Sequence, residues 1–194
     1  MIYGFIGTMD DFSCDGSIRG NGKSLTMTYY LYQDFKEGRK VYTNYKTTFS
    51  EQVTVKEIVD MVLEGEIQEA SIGIDEIQII LNSIGTKAKV VNFVDKMVSQ
   101  TRKINTDIYY TTQRYTNIHK RLRVQTDRLI RPFKMCERNN KWKKCIKDRC
   151  KNRHIIVVKS EIPYQEKPII ALDALKVGKL YNSNEIINEE INLK

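Results

Sequence analysis

The sequence predicts an α/β fold with a mainly parallel sheet flanked by helices, on two observations. Near the N-terminus, the apolar residues 2–7 are followed by a glycine-rich loop and then by a helix-forming run from Leu25. Further along the chain, β-branched runs typical of strands alternate with segments whose apolar residues have helical spacing. Such alternation is typical of parallel strands joined by crossover helices.

Size and charge limit the class of protein. With 194 residues, the chain has the length of about one domain and can bury a substantial core. The net charge is +8 and the isoelectric point is about 9.2, which indicates a polyanionic partner. Residues 134–153 contain nine basic and two acidic residues, so most of the excess charge lies there. We therefore divide the domain into a core at 1–133, a basic hairpin insertion at 134–153 and a final part at 154–194.

The glycine-rich loop predicts a site for nucleotide phosphates. Backbone amides of such a loop surround a phosphate, its lysine contacts the β- and γ-phosphates, and its serine hydroxyl binds Mg²⁺. We assign these contacts to Gly20, Asn21, Gly22, Lys23, Ser24 and Leu25. The loop departs from the full pattern because Ser17 replaces the first glycine and residues 8–19 form a long insertion. The alternative is a chance Gly-Lys-Ser sequence in a surface turn.

The next elements place two acids behind a strand. We predict a helix at 25–35, a strand at 40–44, a helix at 53–63 and a strand at 71–74. Asp75 and Glu76 follow the last of these strands. In ATPases with a phosphate loop, the first acid of such a pair holds Mg²⁺ and the second polarises the attacking water. A solvated strand end is the alternative, and the spacing from Lys23 and Ser24 favours the catalytic interpretation.

Beyond the acid pair we predict a helix at 90–104, a strand at 107–113, a helix at 115–123 and a strand at 127–133. Gln113 ends the first of these strands, where its amide is placed to contact the γ-phosphate or the attacking water.

Taken together, six short motifs resemble those of zonula occludens toxin-like and FtsK/HerA-type P-loop ATPases. They lie at residues 20–24, 41–44, 74–76, 101–103, 108–113 and 126–131. The resemblance covers about residues 1–133 and depends on the order and spacing of the motifs. This group includes filamentous-phage assembly ATPases and viral genome-packaging ATPases.

The resemblance implies a multimeric motor, commonly a hexameric ring, that passes DNA and completes each ATP site with an arginine from a neighbouring subunit. By position, Lys23 and Ser24 would bind phosphate and Mg²⁺, Asp75 and Glu76 would form the Walker B pair, and Gln113 would be the sensor. For the arginine that acts in trans we choose Arg102, with Arg123 and Arg128 as alternatives.

Three of the four cysteines lie in or beside the basic segment. Cys136, Cys145, Cys150 and His154 form a candidate Zn²⁺ site, because three thiolates and one imidazole make a tetrahedral ligand set. The alternatives are a disulfide between Cys136 and Cys145, across a hairpin that turns at Asn139 and Asn140, or unliganded thiols.

The same segment predicts DNA binding without sequence preference, with double-stranded DNA as the expected form. The residues assigned to it are Lys141, Trp142, Lys143, Lys144, Lys147 and Arg149. Lysines contact phosphates and a tryptophan offers one aromatic platform, so binding should depend steeply on salt. The alternative is a solvated hairpin. A strand follows at 154–159, and we expect the tail at 181–194 to pack loosely or to mediate subunit contact.

These observations predict an ATP-hydrolysing DNA translocase, most simply a viral genome-packaging motor subunit. The expected cofactors are ATP and Mg²⁺, with Zn²⁺ as a further candidate, and the expected partners are DNA, further copies of the chain and a virion or membrane protein. One alternative is a phage-assembly or secretion ATPase. The other is a small P-loop kinase or nucleotide-binding regulator, and Glu76 argues against the kinase. The sequence has neither an apolar run of membrane-spanning length nor a signal-peptide pattern, so we expect the host cytoplasm or a virion.

Overall fold

The computed structural model describes residues 1–8, 22–64, 67–83, 87–103, 105–144, 154–165 and 169–181. The strands are β1 (Ile2–Thr8), β2 (Lys40–Thr43), β3 (Glu51–Gln52), β4 (Ala70–Ile74), β5 (Asp107–Arg114), β6 (Arg128–Arg138), β7 (Lys141–Lys144), β8 (His154–Ile162) and β9 (Ile170–Asp173). The helices are α1 (Lys23–Lys36), α2 (Val55–Glu64), α3 (Ile77–Ser83), α4 (Lys87–Lys103), α5 (Lys120–Gln125) and α6 (Ala174–Gly178).

In the part of the chain that the structure describes, the nine strands form one mixed sheet. Its order is β3–β2–β4–β5–β1–β6–β8–β9, and β7 pairs with β6. Every pairing from β3 to β6 is parallel, as predicted. The pairings of β6 with β7 and β8, and of β8 with β9, are antiparallel. The description as mainly parallel therefore holds for the first part of the sheet but not for the strands from β6 onward, because β6 and β7 are joined by a short turn and not by a crossover helix.

An apolar layer covers each face of the sheet. One contains Ile58 of α2 and Phe93 of α4 together with Tyr110 of β5, all fully buried. The other contains Leu31 of α1 and Val158 of β8. Burying a side chain of this size contributes about 1.5–3 kcal/mol, so the two layers fix α1 and α4 on opposite sides of the sheet.

Local sequence signals explain two boundaries near these layers. Helix α2 begins with a capping box: the amide of Thr54 donates to Glu57 Oε2 at 2.6 Å, and the amide of Glu57 donates to Thr54 Oγ1 at 3.2 Å. These bonds lower the pKa of the Glu57 carboxyl. The turn between β6 and β7 consists of Asn139 and Asn140, with φ of 51° and 57°. Two successive positive φ angles are typical of a type I′ hairpin turn.

Some elements differ from the prediction. The helix expected at 115–123 is a 3-10 turn at Tyr115–Asn117 followed by α5. Ile118 is extended, with φ −94° and ψ 150°, and His119 caps the new helix by accepting from the amide of Arg121 at 3.3 Å. The sequence interpretation also did not include β3, α3, β9 and α6, which are short. None of the described helices combines the length and the apolar character needed to cross a bilayer.

Candidate active site

The candidate site lies at one edge of the sheet. Strands β4, β5 and β1 are parallel neighbours in that order, so their carboxyl ends meet there. We call this the carboxyl edge, and the opposite one the amino edge. Ligands of open α/β sheets bind outside the carboxyl ends of the strands. Because β5 lies between β4 and β1, the end of β5 stands between the acid pair and the start of the phosphate loop.

The phosphate loop ends at Gly22, which has φ 87° and ψ 24° and is the N-cap of α1. A Cβ on Gly22 would lie 2.7 Å from Cδ1 of Ile156 in β8, so both backbone conformation and space require glycine. Lys23 begins α1 and is 9% exposed. The side chain of Leu25 is buried in the apolar layer with Leu31, which leaves its amide as its polar group near the helix start. Gly20, Asn21 and the insertion at 8–19, except its first residue Thr8, lie outside the described residues.

Asp75 is held by hydrogen bonds to both its side chain and its backbone. The hydroxyl of Ser24 donates to Asp75 Oδ1 at 2.8 Å, and the hydroxyl of Thr111 donates to the same oxygen. The amide of Asp75 donates to Asn44 Oδ1 at 2.8 Å, and Asn44 Nδ2 donates to the carbonyl of Asp75 at 3.1 Å. Ser24 belongs to α1 and Thr111 to β5, while Asn44 and Asp75 directly follow β2 and β4, so the fold itself assembles this group.

Burial raises the pKa of the Asp75 carboxyl above its ordinary value. Hydrogen bonds from Thr111 and Ser24 lower this pKa, the charge of Glu76 raises it, and the charge of Lys23 lowers it. A bound cation would favour the ionised carboxylate further, because it places positive charge beside a group that water no longer solvates.

Glu76 has a strained backbone that Thr111 supports. Its φ is 54°, in the left-handed region that residues other than glycine seldom adopt. The amide of Glu76 donates to Thr111 Oγ1 at 2.8 Å. Its carboxylate accepts from Gln113 Nε2 at 3.3 Å and also from Gln78 Nε2. Backbone strain that is held in place by surrounding bonds is a feature of functional sites.

The structure thus brings together five residues that were predicted from sequence, namely Lys23, Ser24, Asp75, Glu76 and Gln113. It adds Asn44 and Thr111, which the sequence interpretation did not assign to the site. Asn44 directly follows β2, which pairs with β4, and a polar residue just after a strand was the available signal. Thr111 is interior to β5, where threonine is an ordinary strand residue. Arg114 also lies at this edge, opposite Thr8 of β1, and its side chain is exposed.

Of the three arginines proposed to act in trans, Arg102 and Arg128 lie toward the amino edge of their own subunit. Arg102 is in the last turn of α4, which ends shortly before β5 begins. Arg123 lies near the end of α5, with its guanidinium 6.0 Å from the ring centre of Tyr115. Arg128 begins β6 opposite Tyr3 and is exposed. Arg102 and Arg128 therefore lie away from the carboxyl edge of their own sheet, whereas Arg123 contacts Tyr115, the first residue after the carboxyl end of β5.

The basic hairpin is described in part. Lys141, Trp142, Lys143 and Lys144 form β7 and are exposed, Trp142 at 38%. Lys147, Arg149, Cys145 and Cys150 lie outside the described residues.

Two of the predicted zinc ligands are described. Cys136 is fully buried, lies directly opposite His154 in the β6–β8 ladder, and accepts a hydrogen bond from Arg138 Nε at 3.1 Å. Burial and the charge of Lys134 lower the pKa of His154. Within the described ranges, no group of three or more His, Cys, Asp or Glu residues has a metal-binding arrangement.

Comparison with known proteins gives matches in structure. The chain is similar to the N-terminal domain of zonular occludens toxin from Neisseria meningitidis, with 20% identity, a TM-score of 0.53 and coverage of 93% of this chain and 98% of that one. It is also similar to B204, the DNA-packaging ATPase from Sulfolobus turreted icosahedral virus, with 16% identity, a TM-score of 0.51 and coverage of 86% and 95%. The chain therefore shares the α/β fold of these two proteins, of which B204 is an ATPase. No protein-family model matches the sequence, and no curated protein is similar to it in sequence.

A similar fold occurs in the flagellar accessory protein FlaH from Methanocaldococcus jannaschii. That structure has 12% identity and a TM-score of 0.53, and the match covers 86% of this chain and 85% of that one. The fold predicted from the Gly-Lys-Ser loop and the following acids is thereby confirmed.

Gly22→Ala is expected to weaken ATP binding by at least about 10-fold, or about 1.4 kcal/mol, whereas Gly38→Ala is not. Both glycines have φ 87°, so each substitution should destabilise the fold by about 1–2 kcal/mol through left-handed strain. A Cβ at Gly22 meets Ile156, whereas at Gly38 nothing lies within 4 Å. Denaturant unfolding and titration with a fluorescent ATP analogue would measure both effects. Equal loss of ATP affinity in the two variants would contradict this account of Gly22.

Proposed function

We propose that this protein hydrolyses ATP and uses the energy to translocate DNA, as the motor subunit of a viral genome-packaging machine. The observation that carries the proposal is the hydrogen-bonded group formed by Ser24, Asp75, Thr111, Glu76 and Gln113 at the carboxyl edge. The similarity to B204, a DNA-packaging ATPase, supports the choice of substrate.

The residues at the start of α1 fit a nucleoside triphosphate with Mg²⁺. The N-terminus of a 14-residue helix favours anions, and Lys23 adds a positive charge at that point. The hydroxyl of Ser24 and the carboxylate of Asp75 lie 2.8 Å apart and are hard oxygen ligands of the kind that Mg²⁺ binds. We assign these two residues to the metal. When bound, Mg²⁺ would neutralise charge on the phosphate oxygens.

Glu76 and Gln113 are assigned to the attacking water. The Glu76 carboxylate is placed at the strand end next to the metal ligand Asp75, and it accepts the amide of Gln113 at 3.3 Å. A carboxylate can accept a proton from water. An amide can orient the carboxylate with its N–H donor and the water with its oxygen acceptor. The two side chains are therefore suited to hold and polarise the nucleophile.

A homo-oligomer, in the form of a hexameric ring, is part of the proposal. In it Arg102 of one subunit would complete the ATP site of the next, with Arg123 and Arg128 as alternatives. The position of Arg102 and Arg128 toward the amino edge of their own sheet supports a role in trans rather than in cis. An arginine supplied in this way would stabilise charge on the transferred phosphoryl group.

DNA is assigned to the basic hairpin. The triple variant of Lys141, Lys143 and Lys144 to Gln is expected to lower the slope of log affinity against log salt by up to about 0.9 for each lost phosphate contact, on DNA of any sequence. Fluorescence anisotropy at several salt concentrations would measure the slope. The control replaces Lys36, Lys40 and Lys56, which are also exposed but lie elsewhere, and so removes the same charge. An equal change of slope in the control would remove the hairpin from the DNA interface.

A zinc site remains part of the proposal, with Cys136, Cys145, Cys150 and His154 as ligands. The direct pairing of Cys136 with His154 across β6 and β8 supports it. Metal analysis of the purified protein, with the Cys136→Ser variant as control, would test whether a stoichiometric zinc is held.

A second candidate is a phage-assembly or secretion ATPase. The match to the zonular occludens toxin domain favours it, because that match covers 93% of this chain and 98% of that one. A triplex-displacement assay with Mg²⁺ and ATP separates the two candidates. The packaging motor should displace a third strand from linear double-stranded DNA in an ATP-dependent manner, whereas ATP hydrolysis without displacement would favour the assembly ATPase.

A further inference from the structure

The described part of the basic hairpin lies close to the end of β1, after which the phosphate loop begins. Strand β8 pairs with residues up to Cys136 on one side of β6, so β7, which pairs with Met135 and Cys136 as well, must lie on the other side. That is the side on which β1 pairs with β6, through Arg128 to Ile130. Strand β7 therefore lies in line with β1, beyond its carboxyl end.

The register gives the separation. Phe5 is opposite Ile130, so Thr8, the last residue of β1, is level with Phe133. Lys144 is opposite Met135. At about 3.3 Å for each residue, Lys144 stands about 7 Å beyond the end of β1 along the strand direction. The basic strand thus faces the point where the phosphate loop begins.

The other end of the phosphate loop is in contact with the same group of strands. Ile156 of β8, which is 3% exposed, occupies the space where Gly22 would carry a Cβ: that atom would lie 2.7 Å from Cδ1, 3.0 Å from Cγ1 and 3.2 Å from Cγ2. Ile156 is opposite Lys134 on β6, one residue before the part of β6 that pairs with β7. The strands that carry the hairpin therefore contact Gly22, which ends the loop, and bring Lys144 to about 7 Å from the level of Thr8, after which the loop begins.

We propose that Ile156 is a positioning residue that couples polyanion binding on β7 to the conformation of the phosphate loop. This rests on the proposed function, since it takes DNA to be the polyanion and ATP the nucleotide. Phosphates held by β7 would fix the end of β6 and, through the β6–β8 ladder, the start of β8. Through Ile156 this fixes the backbone of Gly22 at the start of α1. Nucleotide and DNA would then bind with positive cooperativity, and by linkage each would raise the affinity for the other equally.

The test measures the affinity for a fluorescent non-hydrolysable ATP analogue with Mg²⁺, with and without saturating double-stranded DNA of random sequence. In the unmodified protein we expect DNA to raise the affinity by about 5-fold or more. The ratio of the analogue affinity with DNA to the affinity without DNA should fall toward one in Ile156→Ala. In Ile156→Val, which removes Cδ1 alone, this ratio should fall part of the way. DNA affinity without nucleotide should be unchanged in both.

The matched control is Val158→Ala. Val158 is fully buried on the same face of β8 and packs in the same apolar layer, but it is not among the atoms nearest to Gly22. Its substitution should lower the melting temperature as Ile156→Ala does and leave the ratio intact. A ratio that is kept in Ile156→Ala, or lost equally in Val158→Ala, would overturn the role of Ile156.

The outcomes also separate this inference from the proposed function. Cooperative binding of DNA and nucleotide without ATP hydrolysis would support the coupling and overturn the motor. ATP hydrolysis with DNA binding but with a ratio of one in the unmodified protein would overturn the coupling alone. If DNA does not bind, both the coupling and the motor function are overturned.

Discussion

Glu76→Gln is expected to lower kcat for ATP hydrolysis at least about 100-fold, the range in which a positioned general base contributes. Glutamine keeps the shape of the side chain, and its single amide oxygen can replace one of the two carboxylate oxygens that accept from Gln113 and Gln78. Its NH₂ group can donate to the other glutamine once that amide turns its own oxygen inward, so the site should remain assembled. It cannot take a proton from water. ATP affinity should therefore stay near that of the unmodified protein, because Lys23 and Ser24 are untouched.

Steady-state turnover and nucleotide titration on the same sample would measure the two quantities. Glu51→Gln is the control, because Glu51 is exposed on β3, and it should leave kcat unchanged. Retention of hydrolysis in Glu76→Gln would mean that another group activates the water. A parallel loss of ATP affinity would mean that Glu76 acts mainly on the structure of the site.

Thr111→Val is expected to cause the second large loss, although Thr111 need not touch the nucleotide. Its hydroxyl accepts from the amide of Glu76 at 2.8 Å and donates to Asp75 Oδ1, so it fixes both acids at once. Valine has the same shape and leaves the amide of Glu76 without this acceptor. We expect a loss of about 1–3 kcal/mol in the free energy of unfolding, and a fall in kcat of about 100-fold through misplacement of the catalytic carboxylate.

The matched control is Thr112→Val. Thr112 is equally buried on β5, but its hydroxyl donates to the carbonyl of Arg114 at 3.1 Å and not to the acid pair. Chemical denaturation and ATP turnover should show that Thr112→Val affects stability more than kcat. If both variants lose activity in proportion to stability, Thr111 has a general structural role.

The first half of the fold could be predicted because its signals are local. Residues 2–7 read as a strand, α4 has helical spacing of apolar residues, and Asp75 and Glu76 follow a mostly apolar strand. Each of these patterns depends on residues close together in the chain. Parallel order then follows from the alternation of strands and helices.

Features that depend on distant contacts could not be predicted. Thr111 reads as a strand residue, and its role becomes visible only when β5 is placed beside β4. Ile156 is separated from Gly22 by most of the chain, and nothing in its own neighbourhood indicates contact with the loop. The helix predicted at 115–123 begins later because Ile118 is extended and His119 caps α5. The spacing of apolar residues does not indicate where such a cap lies.

We propose, above all, that the candidate site at the carboxyl edge hydrolyses ATP and that this hydrolysis is coupled to DNA translocation. It is tested most directly by ATP turnover of the purified unmodified protein, with and without Mg²⁺ and with and without double-stranded DNA, with Glu76→Gln as the blank. We expect the unmodified protein to turn over ATP only with Mg²⁺ and faster with DNA, and we expect Glu76→Gln to show no turnover. Turnover that DNA leaves unchanged, or no turnover above the blank from folded protein, would contradict it.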